Sequence, residues 1–327
     1  MKYNNFGRTG LQVSQLGFGC GSIGGLLVRG DYPTMREVVS RAIELGINYF
    51  DTAPHYGKGQ SEVNLGAVLR ELGDEVLIGT KVRLTPKDLG EIGTAISRSV
   101  EGSLRRLGCE TIALIQFHNR IGLRREPEQN QAALHDLEEV RLAFEELRKQ
   151  GKVRFWGITG LGESGALRDA VASGAFHSVQ VPYNLLNPSA GTTVPANFPF
   201  QDYQRLLDHA AQQQMGAIAI RILAGGALSG TSERHPVASS WVDPIASEEV
   251  YSADVARAQG YSFLVEKGVV RNLVEASVRF VVSKPSISTA LLGISSLDQL
   301  EEAVQYVECG PLSPDILGSI QAPGHPR

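Results

Sequence analysis

The sequence predicts the α/β fold class, as a single (β/α)8 TIM barrel over residues 1–327, with an N-terminal β-hairpin before the first barrel strand and a long loop after strand 7. Three observations favour this fold. Short segments of β-branched or aromatic residues alternate along the chain with segments of helical periodicity, as in βα units. Strand segments such as IALIQF and AIAIRI are almost entirely apolar, which is typical of parallel strands covered on both faces. No low-complexity linker or change in composition divides the 327 residues.

The predicted elements follow in chain order, beginning with the hairpin in KYNNFGRTGLQV. We expect strands at 15–20, 49–53, 77–81, 112–117, 155–159, 178–183, 217–222 and 289–293. We expect helices at 35–45, 61–72, 88–107, 137–150, 165–172, 203–214, 264–282 and 297–307. Ser61 and Asp88 are predicted to cap the helices that they begin. The segment from 223 to about 254 and the tail after Pro311 exceed ordinary βα connections, which is typical of functional lids or disordered segments.

Charge and composition exclude several function classes. Lys and Arg total 31 against 35 Asp and Glu, a formal net charge of -4, so nothing indicates binding to nucleic acid or to an anionic membrane. The sequence has neither a secretory signal pattern nor a continuous apolar run long enough for a membrane span. Cys20, Cys109 and Cys309 fit neither a disulfide framework nor a metal spacing, and the histidines show no metal pattern. We therefore predict a cytoplasmic enzyme with reduced thiols and no metal site.

Four polar residues stand at or just after predicted strand ends. Asp51 ends strand 2 in YFDTAPHYGKGQSE, with Tyr56 in the loop that follows; Lys81 ends strand 3 and His118 ends strand 4. Singly, each has an ordinary explanation, such as a turn cap, a lysine that reaches solvent or a rim histidine. Because the carboxyl ends of barrel strands form the catalytic face, we expect all four side chains to converge there.

Together these residue types indicate one chemistry. An ammonium beside a phenol favours the phenolate and lowers the pKa of the phenol from about 10, while a neighbouring carboxylate keeps the ammonium charged. Such a phenol can give a proton to a carbonyl oxygen whose carbon receives a hydride, and take the proton back in the reverse direction. A histidine on the next strand can hydrogen-bond the same oxygen. The hydride donor must be a cofactor.

Residues 19–24 read GCGSIG, a literal G-x-G-x-x-G after a predicted strand. The dinucleotide fingerprint requires a helix that opens on this loop and an acidic residue about 20 positions further on. Here Gly25, Gly30 and Pro33 delay the helix, and the first acidic residue at a strand end is Asp51. The sequence therefore disfavours a Rossmann domain, and we expect these glycines to let the backbone pass close to a bound ligand.

The segments FDTAPHYGKGQSE, IGTK and QFHN, in this order, resemble the aldo-keto reductase superfamily, and the resemblance extends from NNFGRTGLQVSQLGFG to GISSLDQLEEAV. It implies a barrel closed by an N-terminal hairpin, with a nicotinamide cofactor, NAD(P), extended across the mouth. It implies hydride transfer between a carbonyl and an alcohol, with Tyr56 as general acid and base. Asp51, Lys81 and His118 complete the implied catalytic tetrad.

The resemblance also implies the residues that bind the cofactor. Gln180 in VQVPYN and Thr159 in GITG match residues that contact the nicotinamide carboxamide. RILAGGALSG resembles the segment at the nicotinamide and pyrophosphate, and GISSLDQLEE the adenosine end. The implied cofactor-binding residues are Cys20, Gly21, Asp51, Thr159, Gln180, Arg221, Ile222, Leu223, Ala224, Gly225, Gly293, Ser295, Gln299 and Glu302.

The adenosine segment departs from the pattern of NADP-binding members, because it has no basic residue and contains Glu302. A carboxylate suits a ribose hydroxyl better than a 2′-phosphate, so we expect NAD in preference to NADP. This feature is similar to the NAD-dependent aldose dehydrogenase subgroup, which includes L-galactose dehydrogenases. Arg234, from the long loop, is the residue that could reverse the preference. NAD would favour oxidation of an aldose or alcohol, and NADPH would favour carbonyl reduction.

The substrate pocket is less visible in the sequence, and its candidate residues could equally be ordinary loop residues. They are Ser22, His55, Arg83, Asn119 and Trp241, together with Cys20. Two other functions stay open: a non-catalytic barrel that senses a nicotinamide cofactor and regulates a partner protein, and a lyase or isomerase that uses Lys81 as a Schiff-base amine. A small carbonyl or alcohol compound is the expected partner, and the oligomeric state is not predicted.

Overall fold

Eight parallel strands close into a barrel in the computed structural model, which describes residues 1–321. In the order of hydrogen-bonded neighbours they are β3 (Leu16–Gly19), β4 (Tyr49–Asp51), β5 (Leu77–Val82), β6 (Ile112–Phe117), β9 (Val153–Thr159), β10 (Ser178–Pro182), β11 (Gly216–Ile220) and β12 (Thr289–Gly293). The last strand pairs with the first, which closes the barrel. The predicted (β/α)8 barrel is therefore confirmed; residues 322–327 of the predicted domain lie outside the described residues.

The N-terminal hairpin lies across the amino-terminal end of the barrel. Its antiparallel strands are β1 (Tyr3–Asn5) and β2 (Gln12–Ser14). Phe6, between them, is buried in a cluster with Tyr49 and other residues of the barrel interior. Arg8 donates hydrogen bonds to the carbonyl oxygens of Gly174 and Phe176, both at 2.7 Å, at the approach to β10. The hairpin thus closes the bottom of the barrel, as predicted.

Helices cover the outside of the barrel and begin at identifiable caps. The Asp31 side chain accepts a hydrogen bond from the backbone nitrogen of Thr34 (3.0 Å), and Asn272 and Ser296 cap later helices in the same way. The helices are α1 (Leu26–Arg29), α2 (Tyr32–Glu44), α3 (Gln60–Leu72), α4 (Ile92–Leu107), α5 (Asp136–Lys149), α6 (Ser164–Ala172), α7 (Leu206–Gln212), α8 (Tyr251–Ala258), α9 (Phe263–Glu266), α10 (Leu273–Val282), α11 (Leu297–Glu308) and α12 (Pro314–Gln321).

Two predicted helix caps are wrong. Asp88 lies inside a 3-10 turn, Pro86–Gly90, where it forms a reciprocal capping pair with Thr85, and α4 starts only after this turn. Ser61 is inside α3, and its hydroxyl donates to the carbonyl oxygen of Cys20 (2.8 Å) instead of capping the helix. In both cases the polar side chain has a partner other than the one that local sequence indicates.

Two predicted helices are shorter than expected because the backbone is left-handed at their ends. The predicted helix 264–282 is split into α9 and α10 around Gly268, which has φ +66°. The predicted helix 203–214 starts only at α7, because Gln204 and Arg205 have φ of 51° and 59°. A continuous helix cannot pass through residues with positive φ.

Several elements were not predicted. A small parallel pair, β7 (Arg120–Gly122) and β8 (Gln131–Ala133), follows β6. The predicted long loop after the seventh barrel strand is confirmed, but it contains a 3-10 segment, Ala224–Ser229, and ends at α8. The tail after Pro311 forms α12 as far as residue 321. Each of these elements lies between or beyond the strands without changing the barrel.

Candidate active site

The carboxyl ends of β4 and β5 bring the predicted proton-transfer residues together. Asp51 ends β4, and its neighbour in register on β5 is Gly79, so Lys81, two residues on, extends along the same inner side. Asp51 and Lys81 are both buried and form an ion pair through Oδ1 and Nζ. Lys81 also donates to the carbonyl oxygen of Thr52 (2.8 Å), and its Nζ lies 4.9 Å from the centre of the Tyr56 ring.

Two opposing effects, burial and the neighbouring charges, determine the pKa of Lys81. Burial disfavours the Lys81 ammonium, but the Asp51 carboxylate and the Tyr56 hydroxyl outweigh it and hold the pKa of Lys81 above its ordinary value. Lys81 is therefore charged at neutral pH. Cys20, at the end of β3, is buried beside this pair; burial first, and then the Asp51 charge, raise the pKa of its thiol. The thiol therefore stays protonated.

The two histidines at the mouth are neutral. The ring of His55 stacks on that of His118 (centroids 4.7 Å apart) and meets Tyr56 edge-on, also at 4.7 Å. Burial, followed by the charges of Lys81 and Arg83, lowers the pKa of His55 to about 4 and holds the pKa of His118 well below its ordinary value. Nδ1 of His118 is buried without a hydrogen-bond partner. His55 thus lies between Tyr56 and His118.

Two further side chains donate hydrogen bonds to the second carboxylate oxygen of Asp51, Oδ2. Gln180 on β10 donates from Nε2 to Asp51 Oδ2 (2.6 Å), and the hydroxyl of Tyr49 donates to the same oxygen (3.1 Å). Gln180, predicted at the nicotinamide end, therefore also contacts the proton-transfer group. Sequence reasoning missed Tyr49. The two-residue period of β4 was the available signal, because it places Tyr49 and Asp51 on the same inner side of the barrel.

A cavity of about 340 Å³ opens at the ends of β11 and β12 and continues to α11. The predicted cofactor-binding residues that line it are Arg221, Ile222, Leu223, Gly225, Gly293, Ser295, Gln299 and Glu302. Ala224 is buried next to them in the chain and is not part of the lining. The remaining predicted cofactor-binding residues lie near Asp51 and Tyr56. Gly21 faces the Tyr56 ring, and the Cys20 backbone nitrogen donates to the Asp51 carbonyl oxygen (2.9 Å). Thr159 is the neighbour of Gln180 in the strand register.

Unpartnered polar atoms show that these surfaces fit a polar cofactor. Thr159 Oγ1 and Arg221 Nη1 are buried without hydrogen-bond partners in the part of the chain that the structure describes, a costly arrangement unless a ligand supplies them. Burial lowers the pKa of Arg221 from its ordinary value, but a guanidinium remains charged in proteins. Gly225, with φ +72°, has no side chain beside Arg221 Nη1. A cation and a bare backbone next to an open cavity fit a diphosphate.

The model of the Aldo/keto reductase family matches residues 15–323. The chain belongs to this family. The resemblance in the sequence is therefore confirmed, and membership supports NAD(P)-dependent interconversion of carbonyl and alcohol compounds.

Relatives and solved structures agree with this assignment. Aldo-keto reductase YhdN of Bacillus subtilis (strain 168) is 28% identical, with 92% of this chain and 87% of that protein covered. L-galactose dehydrogenase of Arabidopsis thaliana is 28% identical, with coverage of 97% and 92%. A putative voltage-gated potassium channel subunit beta of Schizosaccharomyces pombe is 29% identical, with coverage of 96% and 90%. An aldo-keto reductase from Bacillus halodurans, in its holo form, is 25% identical with a TM-score of 0.71, covering 98% and 95%.

At the α11 end of the cavity of this aldo/keto reductase, an acidic and a basic side chain both lie against Tyr306. Glu302 accepts a hydrogen bond from Tyr306 (3.4 Å), whose hydroxyl accepts one from Asn272 (2.8 Å). Arg271, which sequence reasoning missed, lies over the Tyr306 ring, 5.7 Å from its centre. Glu302 is exposed, so its carboxylate is open to a ligand at this end.

Arg234 enters the same cavity from the long loop. Its Nη1 donates to the carbonyl oxygen of Gly225 (2.8 Å) and to the hydroxyl of Tyr251 (2.9 Å), while Nε donates to the carbonyl oxygen of Ser239 (2.6 Å). Its Nη2 reaches the carbonyl oxygen of Ile23 at 3.4 Å. Most of its donors therefore hold the loop, and less of its hydrogen-bonding capacity remains for a phosphate.

The predicted substrate residues separate into two groups. Arg83 is exposed and near both histidines. His55 is also exposed, although its ring packs against Tyr56 and His118, and Ser22 is half-buried on a loop at the mouth. Trp241 is 72% exposed on the long loop. Asn119, by contrast, is buried and donates both amide protons to backbone carbonyls, of Leu84 (2.8 Å) and Asn130 (3.1 Å). It holds two loops together, in contrast to its predicted place in the substrate pocket.

Residues 1–321 contain neither a candidate metal site nor a candidate membrane span. In this range, His, Cys, Asp and Glu do not form a group of three that could hold a metal ion. The helices of the same range include none that is both long and apolar enough to cross a membrane. Cys20, Cys109 and Cys309 are unpaired.

Proposed function

We propose that this protein is an NAD(P)-dependent oxidoreductase that interconverts an aldehyde, ketone or aldose with the corresponding alcohol, using Tyr56 as general acid and base. The observation that carries the proposal is the buried Lys81 ammonium between the Asp51 carboxylate and the Tyr56 ring. When bound, the nicotinamide gives or accepts the hydride. Thr159, Gln180 and Gly21 would hold it near Tyr56, and the cavity residues would hold the remainder of the cofactor.

Each residue of the chain has a distinct task in this proposal. Tyr56, with the Lys81 ammonium beside its ring, releases its proton to a carbonyl oxygen and recovers it from an alcohol. Asp51 keeps Lys81 charged and fixes its position. His118 orients the carbonyl oxygen, and its low pKa makes it a neutral hydrogen-bonding group that does not compete for the proton. His55 contacts both Tyr56 and His118, which supports a place for it in the substrate pocket.

We infer NAD as the preferred cofactor. Glu302 lines the cavity with an exposed carboxylate, which suits a ribose hydroxyl and repels a 2′-phosphate. Arg234 is mostly occupied by the loop, which supports the same choice. Titration with NADH and with NADPH, followed by nicotinamide fluorescence, tests the inference. Tighter binding of NADH directs the substrate search to aldoses and alcohols, whereas tighter binding of NADPH contradicts this assignment.

The Tyr56→Phe variant tests the central role. Turnover of alcohols or aldehydes should fall by about 10² to 10⁴, the usual contribution of general acid catalysis, while cofactor binding survives. Tyr203→Phe is a control for loss of a phenol hydroxyl, because Tyr203 is buried and its hydroxyl has no hydrogen-bond partner among residues 1–321. A Tyr56→Phe protein that keeps more than about a tenth of the wild-type turnover would contradict the proposal.

Two alternatives have different experimental signatures. A non-catalytic cofactor sensor is favoured by one relative, the putative potassium channel subunit beta, and predicts cofactor binding without turnover of any carbonyl or alcohol. A Schiff-base lyase requires a neutral Lys81 amine as nucleophile. The raised pKa of Lys81 and its ion pair with Asp51 oppose that reaction. Borohydride trapping of a substrate on Lys81 would favour the lyase.

A further inference from the structure

The Asp51 carboxylate is buried and receives hydrogen bonds from three side chains. Lys81 contacts Oδ1, whereas Gln180 (2.6 Å) and Tyr49 (3.1 Å) donate to Oδ2. Lys81 and Gln180 already belong to the proposed catalytic and cofactor sites. Tyr49 belongs to neither, yet it is a buried polar group whose hydroxyl is directed at the centre of the proton-transfer group.

The fold makes room for this phenol. Tyr49 lies inside the barrel, one layer below Asp51, and its ring stacks on Phe6 of the N-terminal hairpin, with centroids 6.3 Å apart and an angle of 29°. A Cβ atom on Gly79 would overlap the Tyr49 hydroxyl, and one on Gly17 would approach its Cδ1 to 3.1 Å. Glycine on both neighbouring strands therefore permits the ring to stand upright against Asp51.

The hydroxyl is a constant donor across the working pH range. Burial, and then the charge of Asp51 with its hydrogen bond, hold the pKa of Tyr49 well above its ordinary value, so the phenol stays protonated. Two donors on Oδ2 hold the plane of the carboxylate, which leaves Oδ1 directed at Lys81. A buried polar group costs free energy unless it has such hydrogen-bond partners.

We propose that Tyr49 is a positioning residue for catalysis: its phenol holds the Asp51 carboxylate in place, and Asp51 in turn holds Lys81 beside Tyr56. The inference rests on the proposed function, because it concerns the same proton transfer. The titratable groups that face Asp51 are Lys81 from β5, Tyr49 from its own strand, Cys20 from the end of β3 and, beyond Lys81, Tyr56.

Tyr49→Phe tests the proposal, since phenylalanine keeps the ring and its contact with Phe6 and removes only the donor. We expect kcat to fall by about tenfold, the loss expected for one hydrogen bond to a charged group. The loss should fall on kcat and leave the KM for the carbonyl substrate unchanged, because the phenol acts through Asp51 and Lys81 and not on the substrate. The Kd for the cofactor should not change. Tyr203→Phe, which removes a buried hydroxyl that has no partner among the described residues, is the matched control and should keep the wild-type kcat.

A second variant pair tests the same contact from β5. Gly79→Ala places a methyl group against the Tyr49 hydroxyl and should lower kcat; adding Tyr49→Phe removes the overlapping oxygen, so the double variant should be no worse than Gly79→Ala. A wild-type kcat in Tyr49→Phe would overturn the proposal, as would equal losses of kcat in Tyr49→Phe and Tyr203→Phe. If Tyr56→Phe retains full turnover, the proposed function itself fails, whatever Tyr49→Phe shows.

Discussion

Replacing Lys81 with methionine removes the charge that faces the buried Asp51 carboxylate and preserves most of the side-chain volume. Both members of the pair are only 2% exposed in their side chains, so water cannot replace the lost partner. Removing one member of a buried ion pair costs about 3–5 kcal/mol, because the other charge is left unpaired. We therefore expect Lys81→Met to lose about this much free energy of unfolding at pH 7, together with nearly all turnover.

The pH dependence of this loss follows from the raised pKa of Lys81. The folded state binds this proton more tightly than the unfolded state does, so its contribution to stability is complete below the ordinary lysine pKa of about 10.4. The contribution disappears as the pH rises through the folded-state value. Urea denaturation of both proteins should give a constant difference between pH 7 and about 10, and a smaller one above.

The double variant Asp51→Asn/Lys81→Met separates stability from catalysis. It contains no unpaired buried charge, and its asparagine oxygen can still accept from Tyr49 and Gln180. It should recover most of the stability lost by Lys81→Met, while turnover stays absent. A double variant as unstable as Lys81→Met would refute the argument from an unpaired charge.

Two further predictions concern the cofactor and the packing of the barrel. Glu302→Lys should favour NADPH over NADH by about tenfold relative to the wild type, because an ammonium replaces a carboxylate near the 2′ position. Asp298→Lys, the same charge change at an exposed position of α11, is the control, and an equal effect in both would indicate a general field. Gly66→Ala should lower the free energy of unfolding by about 1–3 kcal/mol, since its methyl group would overlap the Leu107 carbonyl where α3 meets α4. Gly93→Ala meets no atom within 4 Å and should not destabilise; urea denaturation of the pair would contradict the packing argument if both behaved alike.

Much of the site was predictable because barrel chemistry concentrates where strands end. Asp51 and Lys81 each close an apolar strand, and a polar residue at that position is uncommon enough to be informative. Gln299 and Glu302 of the predicted adenosine segment both line the cavity, and their role in binding the cofactor stays a prediction. The helix breaks near Gly268 and Arg205, where the backbone is left-handed, were not predicted, although a glycine in a helical pattern is a signal for such an end.

Residues with a plausible local role were the least predictable. Asn119 follows His118 at a strand end, which indicates the substrate pocket, yet its amide is occupied by the backbone of Leu84 and Asn130. Ser61 precedes a helical pattern, but its hydroxyl donates a hydrogen bond to the carbonyl oxygen of Cys20. A short polar side chain bonds to whichever backbone group packing brings near, and that choice is not local.

The sequence by itself determined the order of strands and helices, the barrel, and the residue types at the catalytic mouth, because period and strand-end polarity are local properties of the chain. Only the tertiary structure decided which of those residues contact one another. Gln180 and Asp51 are 129 positions apart and Arg234 reaches Ile23 across 211, distances along the chain at which no local pattern carries information. The hydrogen bond of Tyr49 to Asp51 depends on Gly79 of the next strand for its space, so it too exists only after the barrel has closed.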